Sequence, residues 1–175
     1  MKNILITGRP GVGKTTIINK LTEHLREYAP AGFYTSEIRS GNIRRGFKAL
    51  GLNGRSMVLA HTDIGSPCRV GKYGVDVAGF EKFLDDLRLL EQSGKVIIID
   101  EIGKMECFSE AFRRLVISAL DWDALLLATI ATVGDDFVTG IKKRRDVELH
   151  TVTVANRDRL VEDLLKRILV LLSRR

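Results

Sequence analysis

Two short stretches of this sequence carry residue types that could do phosphate chemistry. Gly8-Arg9-Pro10-Gly11-Val12-Gly13-Lys14-Thr15 has the spacing Gly, four residues, then Gly-Lys-Thr, and it follows the apolar run Ile4-Leu5-Ile6 directly. Glycines there let backbone N–H groups turn inward around phosphate oxygens, and the helix that follows adds the positive end of its dipole. Lys14 can reach β- and γ-phosphates as a point charge, and the Thr15 hydroxyl can ligate Mg²⁺. These residues point to a site for a nucleoside polyphosphate. The second stretch is Val96-Ile97-Ile98-Ile99-Asp100-Glu101. Four apolar residues deliver a carboxylate to the carboxyl end of a buried strand, the edge where open α/β sheets bind ligands. Asp100 can there hold the Mg²⁺ that Thr15 also touches, through a water. Glu101, directly after it, can orient and polarise a water aimed at the γ-phosphate. A kinase must keep water from that phosphate, so Glu101 favours hydrolysis. Gly103 would let the backbone pass close to bound phosphates.

A cation that neutralises charge developing in the transition state completes such a site. Lys104, Arg69, Arg144 and Arg145 are the open candidates for it, and Arg9 is a further candidate for a phosphate contact. Lys142 and Lys143 read instead as charges complementing the C-terminal end of a helix. An Asn-Lys-x-Asp tetrapeptide is absent, so no base-reading motif is evident and broad base tolerance is the expectation.

These residues need elements that position them. Residues 2–7 read as a strand buried on both faces, and a helix runs from about Lys14 to Tyr28, with Ile17, Ile18, Leu21 and Leu25 inward and Pro30 ending it. Strands are expected at 33–39 and 43–50 around the turn Ser40-Gly41-Asn42, with a short one at 56–60. Residues 62–74 read as loop, and Phe80, Phe83, Leu84, Leu87 and Leu90 mark an amphipathic helix. After the strand at 96–99 come a helix over 109–120 capped by Ser109, a strand over 124–131 and a short helix over 137–145. A last strand over 147–154 and a long helix capped near Asn156 close the chain. Strands alternating with helices mean an α/β fold: a mostly parallel central sheet flanked by helices, with a small antiparallel hairpin insert after the first helix. No repeat or linker divides residues 1–175, which are expected to form one domain.

The bulk numbers agree with a soluble globule: 175 residues, 45% hydrophobic and 29% charged. No apolar run approaches the ~18–20 residues of a membrane span, and the four apolar or neutral residues between Asn3 and Gly8 do not make a signal peptide. Cys68 and Cys107 have no metal-ligand spacing around them and read as free thiols in a reducing cytoplasm. The net charge of +6 favours anionic partners, which a nucleotide satisfies; it supports a nucleic-acid partner only weakly. Nothing indicates a membrane partner, and a monomer is expected.

Further stretches match a known family nearly end to end. They are Thr7 to Thr16, Gly32-Phe33-Tyr34-Thr35 with Glu37, Cys68-Arg69-Val70-Gly71-Lys72-Tyr73, Asp100-Glu101-Ile102-Gly103-Lys104-Met105-Glu106, Arg145-Asp146-Val147 and Asn156-Arg157. The chain resembles the small thermostable-type nucleoside-triphosphatases, whose animal members are called cancer-related nucleoside-triphosphatases. Cys107 departs from the pattern, where a larger apolar residue is expected. The resemblance implies a RecA-like or kinase-like phosphate-loop domain and Mg²⁺-dependent hydrolysis of ATP, GTP, CTP, UTP and TTP. It implies nucleotide contacts from Gly8, Arg9, Pro10, Gly11, Val12, Gly13, Lys14, Thr15 and Thr16, and from Ile99, Asp100, Glu101, Ile102, Gly103 and Lys104. Lys14 and Glu101 are the expected catalytic pair, Thr15 and Asp100 the metal holders. Two rival readings stand: a small-molecule or nucleotide kinase, whose mobile Arg-rich lid would lie in 137–145, and a non-enzymatic nucleotide-dependent switch or RNA-binding adaptor with negligible turnover.

Overall fold

The computed structural model describes residues 2–91 and 94–173. In chain order the elements are β1 (Asn3–Thr7), α1 (Lys14–His24), β2 (Ala31–Ser40), β3 (Ile43–Gly51), β4 (Ser56–His61), β5 (Arg69–Val70), β6 (Tyr73–Val75) and α2 (Val77–Leu87). Then follow β7 (Val96–Ile102), α3 (Glu110–Asp121), β8 (Leu125–Ile130), α4 (Asp136–Lys142), β9 (Val147–Thr151) and α5 (Arg157–Leu172). Among the described residues the strands join one sheet in the order β5-β6-β4-β3-β2-β7-β8-β1-β9. The run from β2 to β9 is parallel, and everything on the other side of β2 is antiparallel.

The apolar strands are buried on both faces because helices cover both. Every residue of β1 and β8 is buried. Strand parity divides their side chains: Ile4, Ile6, Val96, Ile98, Leu125 and Leu127 pack with α1 and α5, whereas Leu5, Ile97, Ile99 and Leu126 pack with α2 and α3. The second face is centred on Phe33 of β2, whose ring meets the edges or faces of Phe80, Phe83 and Phe112 at centroid distances of 5.8, 5.8 and 6.2 Å. Ser109 caps α3 as expected, accepting from the Phe112 N–H, and its own hydroxyl donates to Glu81 of α2. That bond fixes the turn that carries the Gly103–Phe108 segment into the site.

Several boundaries differ from the sequence reading. The antiparallel hairpin after α1 is present as expected, and it extends the main sheet: β2 pairs in parallel with β7 through Ala31–Tyr34 and antiparallel with β3. Residues 62–74 contain the hairpin β5–β6, too short to show alternation in sequence. The helix α1 stops at His24, and a 3-10 turn, Arg26–Tyr28, leads to Ala29 before Pro30. Leu90 lies beyond α2, which ends at Arg88 in a left-handed conformation. Asn156 stands at the start of α5, but its side chain accepts from the Thr153 N–H and donates to the Thr151 carbonyl, pinning the preceding loop rather than capping.

Phe33 joins the sheet to both helices of its face, so Phe33→Ala should reduce stability by about 3–5 kcal/mol. In a chain of this length that corresponds to a fall in thermal midpoint on the order of 10 °C. A circular-dichroism melt checks this, with Phe33→Leu expected to lose less than half as much.

Candidate active site

The phosphate loop leaves β1 at Thr7 and enters α1 through Gly13, whose φ of 110° lies where an L side chain would be strained. Lys14 is buried, and its amine donates to the Gly8 carbonyl at 3.0 Å, folding back across the loop. The Thr132 hydroxyl, from the turn after β8, donates to the same carbonyl at 2.9 Å. Lys142, at the end of α4, donates to the Thr132 carbonyl at 2.8 Å, so the expected dipole charge has a specific partner.

Asp100 follows from strand parity. It continues the side of Ile98, the face carrying α1, and Thr129 continues the side of Leu127 on the neighbouring strand. The two meet: Thr129 donates its hydroxyl hydrogen to Asp100 Oδ1. Asp100 is 1% exposed. Burial raises its pKa, while the hydroxyls of Thr129 and Thr15 and the charge of Lys14 act to lower it. The other carboxylate oxygen, Oδ2, is buried without a partner among the described residues. Such an oxygen is costly to leave unmatched, by about 1–3 kcal/mol. A hard, oxygen-ligated cation or its water fits there, because Asp100 and Thr15 offer oxygen donors only.

Glu101 is half-buried and opens into a cavity of about 770 Å³. Its pKa is also raised, chiefly by burial, with Lys14 pulling it down and Asp100 pushing it up. The loop forms one wall of this cavity, the Glu101–Glu106 segment its floor, and Thr35, Ser36, Glu37, Arg44 and Phe47 the wall opposite. Ala131, Thr132 and Val133, just after β8, also line it.

Of the sequence-predicted residues, Gly8, Pro10, Gly11, Gly13, Lys14, Thr15, Thr16, Glu101, Gly103 and Lys104 border the cavity. Arg9, Val12, Ile99, Asp100 and Ile102 do not. Arg9 is exposed, Val12 packs toward the α1–α5 core, and Ile99 and Ile102 are wholly buried in the other core. Asp100 lies beneath the border, reached through Thr15 and Lys14. Arg144 is spent elsewhere, bonded to Asp146 and Asp121. Arg69 closes its own loop onto the Ile64 and Lys72 carbonyls, and neither it nor the exposed Arg145 borders the cavity. The 137–145 segment is packed down by the buried Val138 and Ile141. Sequence reasoning missed Thr129, Thr132 and the β2–β3 wall. Thr129 had a signal, being the polar residue of the otherwise apolar β8, but the wall depends on where the hairpin folds.

Comparison with known proteins follows this geometry. The NTPase family profile matches residues 3–165. Nucleoside-triphosphatase THEP1 of Thermotoga maritima is 46% identical over 165 residues, covering 93% of this chain and 92% of that protein. The human Cancer-related nucleoside-triphosphatase is 38% identical over 179 residues, covering 93% and 94% respectively. The crystal structure of THEP1 from the hyperthermophile Aquifex aeolicus matches with a TM-score of 0.86 at 37% identity, covering 95% of this chain and 98% of that one.

Thr129→Val would strip Asp100 Oδ1 of this donor, leaving a buried carboxyl poorer by one hydrogen bond. Urea denaturation at neutral pH should then show a loss of about 1–3 kcal/mol. Thr129→Ser, which keeps the hydroxyl, should stay close to wild type.

Proposed function

This chain belongs to the NTPase family, and we propose that it hydrolyses nucleoside 5′-triphosphates to diphosphate and phosphate with Mg²⁺, accepting ATP, GTP, CTP, UTP and TTP. The observation that carries this reading is the Glu101 carboxyl, which borders the phosphate-loop cavity one residue beyond the buried Asp100. In this reading the backbone N–H groups of the loop, all but that of Pro10, which has none, cradle the polyphosphate, and Lys14 leaves the Gly8 carbonyl for the β- and γ-phosphates. Thr15 holds the metal directly and Asp100 through a water, which the unpartnered Oδ2 supports. A Mg²⁺ held by these residues would supply neutralisation of phosphate charge. Glu101 orients the attacking water and accepts its proton. Lys104, on the cavity border, is the best placed of the candidate cations for transition-state charge.

The kinase alternative is less well supported, because the segment expected to serve as its lid is anchored by Val138, Ile141 and the Arg144 ion pairs. Broad base tolerance is supported by the missing Asn-Lys-x-Asp motif. A monomer in a reducing compartment remains part of the reading. The free Cys68 and Cys107 are in keeping with it, and no helix among the described residues is long and apolar enough to cross a membrane.

The test is phosphate release from each triphosphate by wild type and Glu101→Gln. The variant should bind nucleotide normally and turn over about 10²-fold or more slowly, the range for losing a positioned acid–base group. Unchanged turnover would remove Glu101 from the mechanism. Transfer of γ-label to a nucleoside monophosphate would favour the kinase.

A further inference from the structure

Hydrolysis at Glu101 sets the direction in which a triphosphate lies. Its γ-end belongs at Asp100 and Glu101, which leave β7, and Lys14, on the loop after β1, takes the β- and γ-phosphates. Continued across the strand order β7-β8-β1-β9, the nucleoside leaves on the far side of the phosphate loop, toward β9. Two loops stand there, and both are fastened to the beginning of the phosphate loop. The loop after β8 is held by Thr132, whose hydroxyl donates to the Gly8 carbonyl. The loop after β9 is held by Val152, whose N–H donates to the Thr7 carbonyl at 2.7 Å. It lies so close that a Cβ placed on Gly8 would stand 2.8 Å from the Val152 carbonyl oxygen.

Each of these loops lifts one valine into solvent. Val133 is 86% exposed and Val154 72%, the two most exposed large hydrophobic side chains among the described residues. One exposed valine needs no explanation. Two, on the paired loops that flank the phosphate loop, make an apolar rim, and Val133 also lines the cavity. Arg157 stands beside them, just past the cavity border, in the first turn of α5. A Cβ placed on Gly13 would stand 3.9 Å from Arg157 Cδ, so the arginine stem lies against the phosphate loop where that loop enters α1. The two bonds of Asn156 to residues 151 and 153 hold this turn in place. The guanidinium is half-exposed, and Asp158 faces it only at 3.9 Å. Side chains on these loops that could read a base edge are engaged. The Thr132 hydroxyl is bonded to Gly8, Asp135 to Arg113 and to the Val138 N–H, and the Asn156 amide to its own loop.

We propose that Arg157, with Val133 and Val154, is the resting place of the nucleoside: the guanidinium plane lies on a face of the base, and the valines give it apolar contact. This rests on the phosphate-loop reading, with the γ-end at Glu101. Every base has a π-face and none is singled out by a plane or a methyl group, so such a rest accepts purines and pyrimidines alike. Broad base tolerance then has a physical cause beyond a missing motif.

The test separates the nucleoside from its phosphates. Calorimetry with Mg²⁺ measures binding of ADP, GDP, CDP and UDP, which cannot be consumed by release of a γ-phosphate, and of inorganic pyrophosphate, which has no nucleoside. Wild type should bind all four nucleotides more tightly than pyrophosphate. Arg157→Ala should weaken each nucleotide about 10-fold or more, the range for one stacked base, and leave pyrophosphate unchanged. Arg157→Lys keeps the charge without the plane and should show most of the same loss. Val133→Ser and Val154→Ser should each cost a few-fold, again on the nucleotides alone. In the ADP complex of protein labelled at valine methyls, nuclear Overhauser contacts should join adenine protons to Val133 and Val154. Unchanged nucleotide affinity in Arg157→Ala, an equal loss for pyrophosphate, full recovery in Arg157→Lys, or absence of the methyl contacts each overturns the proposal. A wild type that binds these nucleotides but releases no phosphate from triphosphates defeats the hydrolytic reading and leaves the nucleoside site standing. Failure to bind even pyrophosphate defeats the phosphate-loop reading, and this proposal with it.

Discussion

Asp100 sits at the carboxyl end of β7 almost out of contact with water, a costly place for a carboxyl unless neighbours supply hydrogen bonds. The hydroxyls of Thr129 from β8 and Thr15 from the first turn of α1 supply them, and Lys14 beside Thr15 adds its positive charge. They meet because of strand order. The phosphate loop leaves β1 and the carboxylates leave β7, with β8 hydrogen-bonded between them. Two strand spacings put β1 and β7 roughly 10 Å apart. That gap is wide enough to take a polyphosphate and its counter-ion, and Thr129 closes its base. A slip of one residue in the β7–β8 register would turn Thr129 to the other face and leave Asp100 without it. The site is therefore a property of the sheet's alignment before it is a property of any side chain.

The same dependence governs how the site is walled. The parallel pairing of β2 with β7 ends at Tyr34 opposite Asp100, but β2 continues to Ser40 with β3 beside it. Thr35, Ser36 and Glu37 thus rise past the carboxyl edge, and Arg44 and Phe47 of β3 stand with them. The antiparallel half of the sheet forms the wall opposite the phosphate loop.

The phosphate loop, the strand ending at Asp100 and the helices carrying Phe80, Phe112 and Leu164 were legible because local rules determine them: a fixed glycine spacing, a four-residue apolar run, a 3.6-residue period. Thr129 was half legible, since a threonine in an apolar strand asks for a partner without saying which. The wall from β2 and β3 was not legible. Its residues look like any exposed hairpin until β2 is known to pair with β7, a contact between residues more than sixty positions apart. The arginine candidates failed for the same reason. Arg144 reads as a free cation in a basic run, yet in the fold it is bonded to Asp121, at the end of α3, and to Asp146, just before β9.

Removing those arginines changes the charge balance that the site must strike. Asp100, Glu101 and Glu106 are three acids in one small volume, and burial pushes each toward its neutral form. A triphosphate brings further negative charge into the same space. With Arg144 and Arg69 held elsewhere, the cations among the described residues that line the cavity are Lys14, Lys104 and Arg44. Arg44 is partly committed already, since Glu37 pairs with it at 2.6 Å. That shortage gives Lys14 its weight: its charge pulls the pKa of both Asp100 and Glu101 down against their burial.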